Sequence, residues 1–485
     1  MTDNTTEKEK KQMKRLTKLI GLLAALTLVL SVPVFGGAAD DVVTLKWVTV
    51  GGGMPQNYDA WAETVNAYLA GKIGVNIDMD VISWGDFENR RSVMISTGAD
   101  FDIMFTNNSV FNNDVRVGAF LDIGDIIGEA APELYAMIPE GYWDACKIDG
   151  KLYAVPTYKD SSQSEFFIWD TAVAEAAGVD PSQITEIDQL GPALEAIRDY
   201  TGEPSLKLHS DGAYHLLYMY DLMGAGLYTM GVRYDDETAT VVNPFEQDDI
   251  KGYLALLREW YLDGIINSDA AVTPESQSYY PFGIAQGWAG AAKTTWGPQL
   301  GVDVVAYQWG PTIVSNQTVQ GSMNAVSVNC EHPEKALAFL QLINTDSYLR
   351  DSFYYGLEGD DWDYTADGLV HRNKTDWTMA GYTQGSFFNV TQTDDVDFNQ
   401  WDEVKELNEK AVPSVLLGFT MDTEPVEDQL LNCTFIFSRY MGELLTGTTD
   451  PTSTVEAMME EMDAAGYAEL VTEAQAQVDA FMASK

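Results

Sequence analysis

The chain has 485 residues, more than one hydrophobic core serves, because cores stop growing at about 250–300 residues and longer chains divide. A hydrophobic fraction of 46% with 12 Trp, 24 Tyr and 19 Phe excludes a disordered acidic tail. The formal net charge of -46 excludes the basic surface that nucleic acid and anionic lipid require, and leaves a neutral or cationic ligand compatible.

In chain order, the first residues carry Lys8, Lys10, Lys11, Lys14, Arg15 and Lys18, then an apolar run from Leu19 to Leu30, then Gly36, Gly37, Ala38 and Ala39. These are the three parts of a secretory signal, residues 1–39, with cleavage expected near Ala39. A retained anchor needs about 20 apolar residues, and this run, broken by Pro33 and the glycines, is shorter. Translation from Met13 gives a complete signal as well as translation from Met1 does.

Val42 to Val50 is rich in β-branched residues and reads as a buried strand ending at Gly51-Gly52-Gly53. Trp61, Val65, Tyr68 and Leu69 follow at helical spacing, with Gly71 and Gly74 closing the helix. Val75, Ile77, Met79 and Val81 alternate with polar residues as a second strand, Asp86 to Ser96 reads as a helix, and Phe101 to Phe105 as a third strand. This alternation predicts a mostly parallel, right-handed α/β sheet. The glycine run lacks the lysine of a phosphate loop, so it reads as a tight turn or a close backbone approach. The third strand gives way to Thr106, Asn107 and Asn108, the polar ending that open α/β sheets present to a ligand crevice and that ordinary strands also present to a turn.

Asp149-Gly150 predicts a hairpin turn before a strand from Leu152 to Pro156. Helices are predicted over Thr171–Ala177, over Ile187–Tyr200 with its start left open by Pro192, and over Gln247–Asp263. Asn329 or Glu331 leads into a helix with Pro333 in its first turn and Leu337, Leu340 and Ile343 on one face. Thr365–Gly368 reads as a hairpin turn, and the carboxyl end as two helices broken near Gly466.

Catalytic and metal-binding patterns are missing. The four histidines, His209, His215, His332 and His371, do not pair at helical zinc spacing, and His209, Asp211 and His215 read as a polar surface loop. No Gly-x-Ser-x-Gly elbow occurs, and Asp361, Asp363 and Asp367 fit a solvated hairpin better than a calcium loop. With 74 acidic residues some carboxylate pair always meets a glycosidase spacing, so their abundance carries no catalytic information. No catalytic residue, metal or cofactor is assigned. Cys146, Cys330 and Cys433 allow one disulfide with a spare thiol, or none. What recurs is aromatic residues among polar ones near loops: SWGDFENR, PTYKD, KTTWGPQ, YQWGP and FYYGLEGDDWDY. As a set they suit a cleft for sugar rings, whose C–H faces stack on flat side chains while their hydroxyls meet amides and charges.

The blocks ISWGDFENRRSVMISTGADFDIMFTNN, FLDIGDII, GYWDACKIDGKLYAVPTYKD, GSMNAVSVNCEHPEKALAFLQLINTD, YYGLEGDDWDY and LLGFTMDTEPVEDQ occur in an order that resembles the extracellular solute-binding proteins of ABC importers. The resemblance is to the family 1-like carbohydrate type with a DUF3502-type carboxyl-terminal region, and runs from about Val43 to the end. It implies an α/β, two-lobed, periplasmic-binding-protein-like (type II) fold with an interlobe cleft. Lobe 1 would comprise residues 40–156 plus 322–352, and lobe 2 residues 157–321 plus 353–485, with hinges around Val155–Tyr158 and Gly321–Ala325. Asn107 and Asn108 then fall at the cleft, and Trp84, Asp86, Tyr158, Lys159, Glu165 and Trp296 are further ligand candidates by loop position and residue type. The implied function is a monomeric, non-enzymatic receptor that captures a carbohydrate, an oligosaccharide above all, for a membrane permease. A peptide or another small polar or cationic solute is the alternative ligand, and an exported carbohydrate-active enzyme the competing class. The resemblance also implies export, to the medium or a Gram-positive type of cell surface. Family members carry a lipid-anchoring cysteine directly after the signal, whereas here the sequence is VFGGAADD and the first cysteine is Cys146, which leaves a lipid anchor without its attachment residue.

Overall fold

The structure is a computed structural model that describes residues 42–274 and 279–485; the expected signal, residues 1–39, lies outside the described residues. The strands are β1 (Val43–Gly51), β2 (Val75–Ser83), β3 (Ile103–Thr106), β4 (Val155–Pro156), β5 (Gln163–Asp170), β6 (Phe282–Gln286), β7 (Val304–Val314), β8 (Met323–Val326) and β9 (Val412–Pro413). The principal helices are α1 (Tyr58–Ile73), α2 (Trp84–Thr97), α3 (Leu190–Thr201), α4 (Asp248–Leu262), α5 (Pro333–Thr345), α6 (Ser347–Tyr355), α7 (Gln400–Lys410), α8 (Glu427–Leu445), α9 (Pro451–Ala464) and α10 (Tyr467–Ser484).

One sheet has the order β2-β1-β3-β8-β4. β1 and β3 are parallel, with Trp47 opposite Ile103, and β8 runs antiparallel to both β3 and β4. From Trp47 to its end β1 is buried on both sides, as a near-continuous apolar central strand requires. Helix α1 buries Trp61, Val65 and Leu69, the stripe expected from the sequence, and ends at Gly74 with φ 66°. Helix α2 begins at Trp84 rather than Asp86, because Ser83 is still extended and its hydroxyl donates to the Asp86 carboxylate at 2.6 Å across the first turn.

The second sheet has the order β6-β5-β7-β9, with β5 antiparallel to both β6 and β7. Almost every residue of β5 is buried. Phe167 and Trp169 enter a core shared with Leu194 of α3, Leu257 and Trp260 of α4, and the carboxyl-terminal helices through Phe437, Met458, Met462 and Leu470. Strand β7 breaks register after Trp309 at Gly310, φ 64°. A Cβ there would collide with Tyr218, whose hydroxyl donates to the Pro311 carbonyl at 3.0 Å, so only glycine fits.

Several local expectations change for identifiable reasons. The helix expected from Ile187 is a short 3-10 turn, Ile187–Gln189, leading into α3, which places Pro192 in the first turn of α3, where a missing N–H costs nothing. Helix α5 starts at Pro333 with His332 before it, so neither Asn329 nor Glu331 caps it. The Leu152–Pro156 strand divides: Lys151–Leu152 pairs back on Lys147–Ile148 across Asp149 (φ 52°) and Gly150 (φ 77°), while Val155–Pro156 joins the first sheet. Thr365–Gly368 is a hairpin turn joining Trp362–Tyr364 to Val370–Arg372, and Gly466 (φ 96°) separates α9 from α10. The three cysteines are free thiols.

The chain crosses from the first sheet to the second between β4 and β5, and returns between β7 and β8. Thr157 N donates to the Ser322 carbonyl at 3.0 Å, tying the two crossings together, and Ser322 Oγ donates to the Tyr382 carbonyl at 2.9 Å. Asn408 of α7 donates to the Lys159 carbonyl at 2.6 Å and accepts from Ser162 N at 3.0 Å. Residues 357–387, which the sequence division assigns to lobe 2, hydrogen-bond instead to the first sheet: Gly52 N donates to Thr378 O at 2.7 Å, and Asn324 Nδ2 to Thr383 O at 2.9 Å. The cause is aromatic: Trp61 of α1 packs on Phe353 at 4.8 Å and on Trp377 at 5.8 Å between ring centroids, which holds the segment where α6 ends.

Asn408→Ala should lower stability by about 1–3 kcal/mol, since it strands buried backbone groups of the crossing. Urea denaturation measures this, and an unchanged midpoint would show that the crossing does not depend on Asn408.

Candidate functional site

A cavity of about 270 Å³ opens where the crossings run. Its wall takes Asn108 from the loop after β3, Lys159 and Gln163 from the first crossing, Gln286 from the end of β6, and Gln317 and Thr318 from the return. The two asparagines after β3 divide their tasks. Asn107 Oδ1 accepts from Ser109 N at 3.0 Å and its carbonyl accepts from Phe111 N at 2.9 Å, so it is spent on the turn that starts the next helix. Asn108 is the one that reaches the cavity.

Opposite lie Tyr214, His215 and Tyr218. His215 occupies a 3-10 turn, Tyr214–Leu217, and is not the surface-loop residue expected: its ring stacks on Tyr214 at 4.2 Å, and its Nδ1 lies 3.0 Å from Oε2 of Glu165 without hydrogen-bond alignment. Glu165 is fully buried on β5 and accepts from Gln163 Nε2 at 2.7 Å, so it acts on the cavity through Gln163 and His215 rather than by lining it. Asp221, also in the wall, is a buried carboxylate that accepts from Ser414 Oγ at 2.7 Å and Met223 N at 2.9 Å. Burial pushes its carboxyl above the usual range in spite of these bonds.

Lys159 also lines a second cavity of about 560 Å³. Its wall combines the aromatic residues Trp288, Tyr354, Tyr355, Tyr382, Phe398 and Trp401 with the amides of Gln392, Asn399 and Gln400. Lys159 Nζ donates to Asp160 Oδ1 at 2.8 Å and stands 5.8 Å above the Tyr382 ring. Tyr382 also stacks with Trp84 at 5.9 Å and 10°, and Trp84 is 52% exposed. The Trp288 indole N–H is buried and has no hydrogen-bond partner among the described residues.

The loop bearing Tyr382 is held from below by Arg350, which is completely buried. Its guanidinium donates to the carbonyls of Gly381 at 2.7 Å and Ser386 at 2.8 Å and to Gln384 Oε1 at 2.9 Å, and sits 5.1 Å from the Tyr354 ring centroid. Burial pulls its pKa down to about 10, which leaves it charged at neutral pH.

Of the sequence candidates, Asn108, Lys159 and, through Tyr382, Trp84 are brought together. Asp86 is spent on the start of α2. Tyr158 turns into the interior against Phe388 at 4.6 Å and Tyr142 at 5.8 Å. Trp296 packs on Phe166 at 6.0 Å and lines a separate cavity of about 380 Å³ with Trp260 and Tyr280. Within KTTWGPQ it is Lys293, Thr294, Thr295 and Pro298 that face the 560 Å³ cavity, so the segment was legible while the chosen residue was not. Sequence reasoning missed Tyr382, Trp288 and Trp401, whose surroundings carry no distinguishing pattern. It also missed His215, for which the nearby aromatic Tyr214 was the available signal. Among the described residues no group of three or more His, Cys, Asp or Glu is placed to hold a metal ion, and no helix is long and apolar enough to cross a membrane.

Two sheets joined by crossing segments, with two cavities that share Lys159 at the crossing, define a two-lobed solute-binding protein of the type II, periplasmic-binding-protein-like class. The chain belongs to the bacterial extracellular solute-binding protein family, which matches residues 63–357, and residues 415–483 match a domain of unknown function, DUF3502. A carbohydrate ABC transporter substrate-binding protein of Streptococcus pneumoniae serotype 4 (strain ATCC BAA-334 / TIGR4) is 26% identical over 462 residues, 90% of each chain. The crystal structure of the N-glycan transport solute binding protein (NgtS) from Streptococcus pneumoniae is similar with a TM-score of 0.83 at 24% identity, covering 91% of this chain and 99% of that one. The NgtS complex with Man5GlcNAc gives a TM-score of 0.71 at 24% identity and the same coverages.

Two consequences can be checked. Arg350→Met leaves three acceptors unpaired and should cost about 2–4 kcal/mol, read as a shift in the urea midpoint; no shift would show that the loop holds itself. For Asp221, a folded carboxyl above the unfolded value near 3.9 takes up its proton first as pH falls, so it adds stability on acidification and subtracts it near neutrality. Asp221→Asn should therefore be at least as stable as the parent at pH 7 and lose part of the parent's relative gain at pH 5. Identical pH slopes for both proteins would contradict this.

Proposed function

We propose that the protein is the non-catalytic receptor of an ABC importer, exported and acting outside the membrane as a monomer, which captures an oligosaccharide between its two sheets and presents it to the permease. One observation carries this reading: two cavities share Lys159, and each wall mixes aromatic rings with side-chain amides, Tyr214, Tyr218, Asn108 and Gln163 in one and Trp288, Tyr382, Gln392 and Asn399 in the other. Saccharides need both, since their C–H faces bury against aromatic rings and their hydroxyls require directed donors and acceptors. The similar pneumococcal proteins support it, one being named for carbohydrate transport and the other having a Man5GlcNAc complex.

The ligand-binding residues in this reading are Asn108, Gln163, Lys159, Tyr382 and Trp84. A sugar bridging the crossing contacts both sides at once, so its binding energy favours the arrangement in which they approach. The match to a family of solute-binding proteins and to a carbohydrate ABC transporter substrate-binding protein is what favours a receptor over a carbohydrate-active enzyme.

Thermal shift of the purified protein against neutral glycans including Man5GlcNAc, peptides and polyamines tests the reading. A ligand at a hundredfold excess over Kd stabilises the native state by about 2.7 kcal/mol, and the glycan should be recovered unchanged. A shift produced only by peptides or polyamines would replace the ligand class, and a consumed glycan would replace receptor with enzyme. Tyr382→Ala should weaken glycan binding about tenfold by calorimetry, the worth of one good stacking contact.

A further inference from the structure

We infer that the 560 Å³ cavity takes an acidic saccharide, one bearing a carboxylate, and that Arg372 is the residue that reads the charge. The inference rests on the oligosaccharide reading above and adds the ligand's charge to it.

Over the whole chain basic residues number 28 against 74 acidic ones. The cavity wall reverses this balance, with Lys159, Lys293 and Arg372 facing Asp160 and Asp395. Lys159 is matched by Asp160 at 2.8 Å, and Asp395 accepts the Thr393 hydroxyl at 2.5 Å. Lys293 has only Asp397, 3.9 Å away and 91% exposed. Among the described residues the Arg372 side chain has neither a hydrogen bond nor an ion pair, whereas every other described arginine meets a carboxylate or donates to carbonyls: Arg91 with Asp114 at 2.5 Å, Arg233 with Asp249 at 2.6 Å, Arg258 with Thr448 O at 2.9 Å, and the rest likewise. In a chain so rich in carboxylates, one unmatched arginine on a cavity wall is a site for an anion that arrives with the ligand.

Its placement suits that task. Arg372 ends a hairpin strand opposite Trp362, whose ring is fully buried, so the backbone under the guanidinium is anchored while the side chain stays exposed. Tyr354 and Tyr355 line the same cavity as Arg372. A guanidinium offers a carboxylate two parallel N–H donors, a pairing a neutral glycan hydroxyl cannot reproduce. The chain's net negative charge does not forbid such a ligand, because charges beyond about 8 Å are screened at physiological salt and the contact at Arg372 is shorter. In the other cavity Lys159 is already paired with Asp160 at 2.8 Å and Asp221 is a buried carboxylate of the wall, so no unpaired guanidinium faces the acid there.

The test uses a matched pair: an oligosaccharide ending in a hexuronate, and the same oligosaccharide after reduction of its carboxyl to a primary alcohol. Calorimetry at about 0.1 M salt should show the acid binding at least about tenfold more tightly than its reduced form, the lower bound for a hydrogen bond to a charged group. Arg372→Gln should remove that preference while leaving the affinity for the reduced sugar within about twofold, and Arg372→Lys should restore part of it. Equal binding of acid and reduced forms by the parent protein would overturn the inference and leave the oligosaccharide reading intact. A preference that survives Arg372→Gln would overturn the assignment to Arg372. If neither these sugars nor neutral glycans bind, the oligosaccharide reading itself falls, and this inference with it.

Discussion

The structure depends on how a backbone satisfies its own polar groups while passing between two sheets. At Thr157–Ser162 and Ser315–Ser322 the chain is buried yet belongs to no long ladder, and each N–H and C=O left unpaired there would cost on the order of 1–3 kcal/mol. The solution is lateral: Thr157 bonds Ser322, Ser322 bonds the Tyr382 carbonyl, and Asn408 spans Lys159 and Ser162. These are hydrogen bonds between segments that are distant in sequence, so the crossings form only when both sheets and the segment around Tyr382 have arrived. The cavities follow from this, because the residues that bridge the crossings also fix the backbone of Lys159 at their junction.

The larger cavity is supported by a buried guanidinium whose hydrogen bonds all go to neutral acceptors. Arg350 has no carboxylate among its hydrogen-bond partners and spreads its donors over two carbonyls and an amide of one loop. A buried ion pair would need only one loop residue, whereas three acceptors spaced along the loop fix its shape. Tyr382 inherits that rigidity, and so does the stack with Trp84. Preorganised rings lose little freedom when a sugar binds, which is where affinity for a weakly interacting solute has to come from.

Much of the fold was legible because its local rules agree with one another. β1, α1, β2 and β3 follow their apolar periodicity to within a residue or two, and Gly74, Gly98 and Gly466 stop helices in the left-handed conformation glycine allows. The route of residues 357–387 was not legible, since it is set by Trp61 meeting Phe353 and Trp377, a contact between positions far apart in sequence. The site divides in the same way. Asn108 could be placed because a strand end points to it, and Lys159 because it follows a crossing. Tyr158, beside Lys159, faces the other way simply because neighbours on an extended chain alternate sides. Tyr382 and Trp401 could not be chosen over 23 other tyrosines or 11 other tryptophans without knowing that Arg350 holds the Gly381 carbonyl and that Phe387 packs on Trp401.

The two cavities differ in what they demand of a ligand. The smaller one takes Asn108, Lys159, Gln163, Gln286 and Gln317 from the crossings and strand ends, and Tyr214, His215, Tyr218 and Tyr228 from residues 214–234. The larger one draws Tyr354, Tyr382 and Arg372 from the segment bound to the first sheet, and Trp288 and Lys293 from a turn whose backbone N–H groups at Ala289 and Gly290 are held by Glu403 of α7 at 2.8 and 2.9 Å. Trp401 joins these sets, touching Phe387 at 4.1 Å and Trp288 at 5.9 Å. Ring contacts are weakly directional and tolerate small displacements, while amide hydrogen bonds weaken steeply with misalignment. Rings and amides occur in both walls, so the cavities differ chiefly in charge: Asp221 is buried in the wall of one, while Lys293 and Arg372 stand in the wall of the other.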